Sequence, residues 1–420
     1  MPSREVAGAP GDRPATCGGC GLVCDDITAV IGTGGELERL VRTCPLGDAW
    51  FAARVGEAPP PARIDGREAE LERALDAAGE ILAAARAPLV YGLGGTSCEA
   101  QRVAVGLADA IGATIDPAGP LLDGSSGLAY QARGASTATL GDVRDRAEVV
   151  VVWRADPATT HPRLFERLRL PDPNRVLVVV DERRTATAEQ ADVFLELPAD
   201  CDVETLWTLR ALVTEAPMAE GHAPDPQLGE LVARLRGCAN GAILHHMRGD
   251  VEALALLALV RDLSRVTHIV TVTLRHEGNA AGAEDVLAWQ TGYPSAVSFA
   301  GGYPRASPGE LSAAAVLARG DADAALVVAS DPLEHLPPAA AERLRAIPVV
   351  CVDARATATA AAARVAFTTA AAGVHRPGVV HRLDGVPVPL HALLRSSRPS
   401  DEEVLAAIAE RIAGRQEARA

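Results

Sequence analysis

Seven short stretches of the chain are almost purely apolar and then stop at a glycine or a polar turn: "APLVYGLGG", "AEVVVVWR", "RVLVVVDE", "GAILHHM", "HIVTVTL", "DAALVVASDP" and "IPVVCVDA". All but "HIVTVTL", with its Thr271 and Thr273, are continuous apolar runs, and together they predict strands buried on both faces, as in a parallel sheet covered by helices. Between them the period changes to that of a helix. "REAELERALDAAGEILAAAR" puts Leu71, Leu75, Ala78, Ile81 and Leu82 on one face, and "SCEAQRVAVGLADAIG" predicts the next helix. Near the end, "SDEEVLAAIAERIAGR" opens with Ser400 and Glu403 in capping-box spacing. The alternation predicts a doubly wound α/β fold.

The pattern also repeats. "VVWRADPATTHPRLFERL" is echoed by "LVVASDPLEHLPPAAAERL", and "RVLVVVDERRTATAEQADVFLELP" by "IPVVCVDARATATAAAARVAFTTA". In each copy one strand ends at Asp-Pro (Asp156, Asp331) with a histidine beyond it (His161, His335), and the next ends at an aspartate (Asp181, Asp353). Two similar nucleotide-type halves follow from such an echo. Ligands in these sheets bind off the carboxyl ends of strands, so Asp156, His161, Asp181, Asp331 and Asp353 become candidate ligand contacts, the histidines for a phosphate or a helix end. The competing reading is that Asp-Pro starts a turn and caps a helix. Gly278 and Asn279, in the loop "RHEGNAAGAE", form a candidate anion cradle at a helix start. With the Pro-rich break "GEAPPPARIDG", the expected organisation is 1–60 as a small cysteine domain, 61–215 and 216–360 as the two halves, and 361–420 as a C-terminal segment with a terminal helix.

Charge narrows the partners. A net charge of −15 over 420 residues opposes a nucleic-acid or anionic-membrane surface. The N-terminus has no apolar run of signal-peptide type, which favours a cytoplasmic setting. In that reducing compartment the cluster Cys17, Cys20, Cys24 and Cys44, spaced C-x2-C-x3-C-x19-C with Pro45 after the last, points to metal ligands rather than disulfides. Three close cysteines and a distant Cys-Pro fit a 4Fe-4S cluster, with zinc or an empty relic as alternatives.

A cluster domain followed by two nucleotide-type halves resembles the molybdopterin oxidoreductases. The stretches "CGGCGLVCDDI", "RTCPLGDAWF", "GGTSCEAQ", "EGNAAGAEDVLAWQTGYP", "GGYPRASPGELSAAAVL" and "RLDGVPVPLHALLRSS" are similar to the formylmethanofuran dehydrogenase B-subunit family, which includes the B subunit of the methylotroph formyltransferase/hydrolase complex. The resemblance implies two pterin-guanine dinucleotides around one tungsten or molybdenum atom. It also implies a cysteine ligand and a histidine in the loop "DGSSGLAYQARGASTATLG", where this chain has Ala129 and Tyr130. An arginine expected before "GYPR" is replaced by Gly301, and Arg154 stands where a small residue is expected beside the pterin. No cysteine lies between Cys98 and Cys201. The departures imply a degenerate redox site, with the pterin and its metal lost. The expected role is structural, in the conversion of formyl to formate, alongside an amidohydrolase-like A subunit and C and D subunits. The alternative is an active tungsten or molybdenum oxidoreductase.

Overall fold

The computed structural model describes residues 10–56, 58–117, 127–218, 223–247 and 249–417. The chain divides into two compact units: Met1–Leu122, Glu277–Arg382 and Pro387–Ala420 form one, and Asp123–His276 with Leu383–Val386 form the other.

The second unit is built on a five-stranded sheet, all parallel, in the order Val193–Glu196, Val176–Asp181, Val149–Trp153, Asn240–His245, His268–Thr273. Every residue of Val149–Trp153 is buried, which explains its unbroken apolar run. Val149, Val151 and Trp153 share a core with Leu206, Leu209, Leu231 and Leu256 from the helices Asp202–Thr214, Pro226–Gly237 and Asp250–Leu263.

The first unit holds a nine-stranded sheet whose five central strands are parallel: Thr114–Pro117, Pro88–Gly92, Ala324–Val328, Val349–Asp353 and Val365–Thr368. Short antiparallel strands finish both edges, two residues long at each extreme, which leaves little open edge for another chain to join. The expected helices Leu71–Ala84 and Asp401–Glu417 pack together, with Leu75, Leu82, Val404, Leu405 and Ile408 in one core. The capping box is present: Ser400 N–H donates to Glu403 Oε2 (2.7 Å) and Glu403 N–H to Ser400 Oγ (3.1 Å). A three-stranded antiparallel sheet, Gly11–Ala15, Ile27–Ile31 and Leu37–Val41, carries the cysteine loop. No helix among the described residues is long and apolar enough to cross a membrane.

The strand order groups the chain differently from a linear division into 61–215 and 216–360. Strands 88–92 and 114–117 hydrogen-bond with those of 324–368, whereas 149–196 joins 240–273. In chain order the second unit is thus inserted into a crossover of the first. The terminal helix belongs to the first unit's core rather than to a separate segment. Each unit nevertheless keeps one copy of the echo. Arg154 and Ala329 are both left-handed (φ 52° and 49°), and Asp156 and Asp331 share one backbone conformation (φ −120°, ψ 68° and φ −119°, ψ 73°).

The two Asp-Pro aspartates are clamps. Asp156 Oδ1 accepts from Thr187 N–H (2.9 Å) and Oγ1–H (2.6 Å); Asp331 Oδ1 accepts from Thr359 N–H (2.9 Å) and Oγ1–H (2.6 Å). Asp331 Oδ2 also takes Ala358 N–H (2.8 Å). Each ties its loop to the loop after the next strand. Replacing Asp331 with Ala would orphan buried donors and is expected to cost about 2–4 kcal/mol, measured by urea unfolding. The same change at half-buried Asp156 should cost less, and no loss at either position would contradict the clamp.

Candidate functional site

In the first unit the strand order reverses between Pro88–Gly92 and Ala324–Val328, because the chain builds outward on one side and returns on the other. That switch point is where open α/β sheets place ligands. A glycine turn, Gly94–Gly95, leaves the first of these strands there. The carboxylate of Glu277 lies so close over Gly94 that a Cβ at this position would stand 1.7 Å from Oε2. Oε2 is sealed from solvent and accepts no hydrogen bond.

Asn279 is the hub of the region. Its Nδ2 donates to Thr96 O (2.7 Å), its Oδ1 accepts from His381 N–H (2.8 Å), and its N–H donates to Gly94 O (2.9 Å). Gln101 Nε2 spans Leu93 O (2.9 Å) and Asn279 O (3.2 Å). Gly278 meets the cysteine loop: a Cβ there would lie 2.4 Å from Gly18 O, so only glycine fits without displacing backbone. The two residues of the anticipated cradle thus meet the cysteine loop (Gly278) and the glycine turn (Asn279). Asp353, at a strand end, holds Arg355 by Nε (3.0 Å) and Nη2 (2.8 Å). Asp401 accepts from Thr96 and Thr369 hydroxyls (2.5 Å each). Arg54 stacks on Trp50 at 4.3 Å. Burial raises the Asp401 carboxyl to about 6, and burial lowers Arg54 to about 10 with Arg355 adding to the effect.

The cysteine loop is tight. Cys17 N–H donates to Cys24 O (2.9 Å), and Gly19 N–H to Cys17 Sγ (3.2 Å). Cys17, Cys20 and Cys24 are buried; Cys44 is half-buried and precedes helix Pro45–Val55. Burial pushes the Cys17 thiol up to about 12, with smaller contributions from Cys24, Cys20 and Cys44. Among the described residues, no three His, Cys, Asp or Glu side chains gather tightly enough to hold a metal ion.

In the second unit the order reverses between Val149–Trp153 and Asn240–His245. His161 lies behind this edge, fully buried, with Nε2 against Arg275 O (2.7 Å) and Nδ1 against Thr160 Oγ1 (2.9 Å). Burial lowers its pKa to about 4. His246 and His276 stack at 4.8 Å, and His276 lies 5.7 Å from His161. His335 instead contacts the Tyr91 hydroxyl (2.9 Å). The two rings, expected to share one contact, have different partners within the protein. Asp181 Oδ1 accepts from Glu182 N–H (2.7 Å), and burial raises its pKa.

Ala129 is buried in the apolar core on helix Gly127–Arg133, and Tyr130 hydrogen-bonds Thr273 Oγ1 through its hydroxyl. The loop's start, residues 118–126, lies outside the described residues. Gly301 is exposed beside the Tyr303 ring. Arg154 does not project freely: its guanidinium pairs with Asp202 (2.9 Å) and donates to Leu197 O (2.8 Å) and Pro198 O (2.6 Å). Sequence reasoning missed Glu277, Arg355, Asp401 and the stacked histidines. Only the Asp-Ala-Arg of the second echo hinted at Arg355.

Burial raises the Glu277 carboxyl from an ordinary 4.5 to about 7, opposed by Arg355. The folded chain therefore holds a proton that the unfolded chain has released between those values, and stability falls as pH rises through that window. Glu277→Gln should flatten this fall relative to the parent in urea unfolding at several pH values. An unchanged difference across the window would contradict it.

No family model matches the chain. The B subunit of tungsten-containing formylmethanofuran dehydrogenase 2 from Methanocaldococcus jannaschii is 33% identical over 410 residues, covering 91% of this chain and 93% of the relative. Among solved structures, the formyltransferase/hydrolase complex FhcABCD of Methylorubrum extorquens with methylofuran contains a chain matched at TM-score 0.72 and 26% identity, over 85% of this chain and 99% of that one. Acetylene hydratase from Pelobacter acetylenicus matches at TM-score 0.69 and 14% identity, over 96% of this chain and 69% of that one, a likeness of fold alone.

Proposed function

The chain belongs to the formylmethanofuran dehydrogenase B-subunit family, and on that premise we propose that it is a structural B-type subunit whose redox site has lost its protein ligands. It would work within a formyltransferase/hydrolase-type assembly, in tetrahydromethanopterin-linked conversion of formyl groups to formate. Its partners would be an amidohydrolase-like A subunit and C and D subunits, and its setting the cytoplasm. The likeness to a chain of FhcABCD supports the assembly.

One observation carries the reading. The position that resemblance assigns to the metal-ligating cysteine is Ala129, an aliphatic side chain enclosed in an apolar core. No other cysteine lies between Cys98 and Cys201 to replace it. Alanine offers no donor, and Gly301 supplies no cation beside a reacting carboxylate. These residues do not fit a tungsten or molybdenum centre held by the protein. The polar switch points persist because they also hold the fold, as the internal engagement of Asp156, Asp331 and Asn279 supports.

At Cys17, Cys20, Cys24 and Cys44 we assign a four-iron cluster. When bound it would supply one-electron chemistry; in this reading it ties the cysteine loop to the turn before helix Pro45–Val55. The Gly19 N–H directed at Cys17 Sγ suits a thiolate ligand.

The long match to the tungsten-containing relative favours a second reading, an active oxidoreductase. Elemental analysis of anaerobically purified assembly separates the two. The expected result is about four iron atoms per copy of this chain with no stoichiometric tungsten or molybdenum, and loss of iron in Cys17→Ala. One tungsten or molybdenum per copy would overturn the structural reading.

A further inference from the structure

A cavity of about 270 Å³ opens in the second unit at the carboxyl ends of Val176–Asp181 and Val193–Glu196. Trp153, Val180, Leu195 and Leu231 form its buried apolar wall. Glu196, Glu204 and Asp225 stand at its exposed rim, with Thr208 and the half-buried Cys201 beside them. Asp156, His161 and Asp181 do not line it, so it is separate from the expected ligand contacts.

Two features decide what it can hold. Among the described residues no Lys, Arg or His lines it, and a phosphate or carboxylate would meet repulsion from the acidic rim. The wall is built rather than accidental. Arg154 holds the Leu197 and Pro198 carbonyls and Asp202, and Asp202 also accepts from Trp153 Nε1–H (2.7 Å). These bonds tie the strand-end segment to the start of helix Asp202–Thr214 through one guanidinium and fix the indole beside the space. Ala329, which has the equivalent left-handed position in the other echo, has no such arm. Arg154 thus spends its charge on Asp202 and leaves the rim acidic.

We propose that this cavity binds a compact apolar molecule carrying a protonated amine. The ring or alkyl body packs on Trp153 and the leucines, and the ammonium sits at Glu204 and Glu196, where its charge is offset at the solvent edge. The volume admits a single ring with a short arm rather than a dinucleotide.

Benzylamine, cationic at neutral pH, and benzoate are matched probes for calorimetric titration of the full chain. Peptide-resolved alkylation of Cys201 localises any binding. Benzylammonium should bind saturably and slow Cys201 alkylation, while benzoate does neither. Thr208→Phe, which fills the space, should abolish both effects. Glu204→Gln, a surface change that leaves the fold intact, should weaken binding about three- to tenfold. Benzoate binding as well as benzylamine, full affinity in Glu204→Gln, or no saturable binding at millimolar benzylamine would each overturn the proposal.

Discussion

One side-chain amide holds the first unit's working end together. Asn279 fastens the glycine turn, the start of helix Ala280–Thr291 and the strand Gly378–His381, which are far apart in the chain. Beside it Gly278 allows the cysteine loop to touch this knot through Gly18. A side chain at Gly278, or an unpaired amide at residue 279, would leave buried donors and acceptors without partners, and such groups are expensive in an apolar interior. The cysteine loop, the glycine turn and the Asp401 clamp at the terminal helix therefore form one cooperative assembly. The polar residues of this region that suggest a ligand are hydrogen-bonded within the protein.

The duplicated strand–loop design makes the same point twice. Both copies keep a left-handed residue after the first strand and an Asp-to-Thr clamp behind it. What differs is the side chain placed on the left-handed residue. Ala329 leaves its switch point open to the Gly95 turn, whereas Arg154 is consumed by Asp202 and two carbonyls. Backbone geometry and hydrogen-bonded clamps have been retained, and the reactive decoration varies between copies.

Much of this was readable from residues alone. The Val-rich strands were legible because a parallel strand buried on both faces needs no polar position, and the Ser400–Glu403 box because its partners are three residues apart. The cysteine spacing and the echo were legible for the same local reason. Strand order was not: which strand lies beside Pro88–Gly92 depends on packing some 230 residues away, as the pairing of Leu89 with Ala325 illustrates. The fate of Asp156 and Asp331 was equally hidden. Their duplicated sequence context favours a ligand contact over a turn clamp, and the hydrogen bonds to Thr187 and Thr359 come from a loop that local reading does not bring near. Glu277 gave no signal, because a glutamate's burial is set by what folds over it.

The central proposal is that the nucleotide-type cradle endures while this chain supplies no ligand to a tungsten or molybdenum atom, the position of the expected cysteine being Ala129. An anomalous difference map of the crystallised assembly, collected at the tungsten and molybdenum edges, tests it most directly. The account predicts no heavy-atom peak bonded to a side chain of this subunit, with Ala129 still packed in its apolar core. A peak at either edge coordinated by a donor from this chain would contradict it.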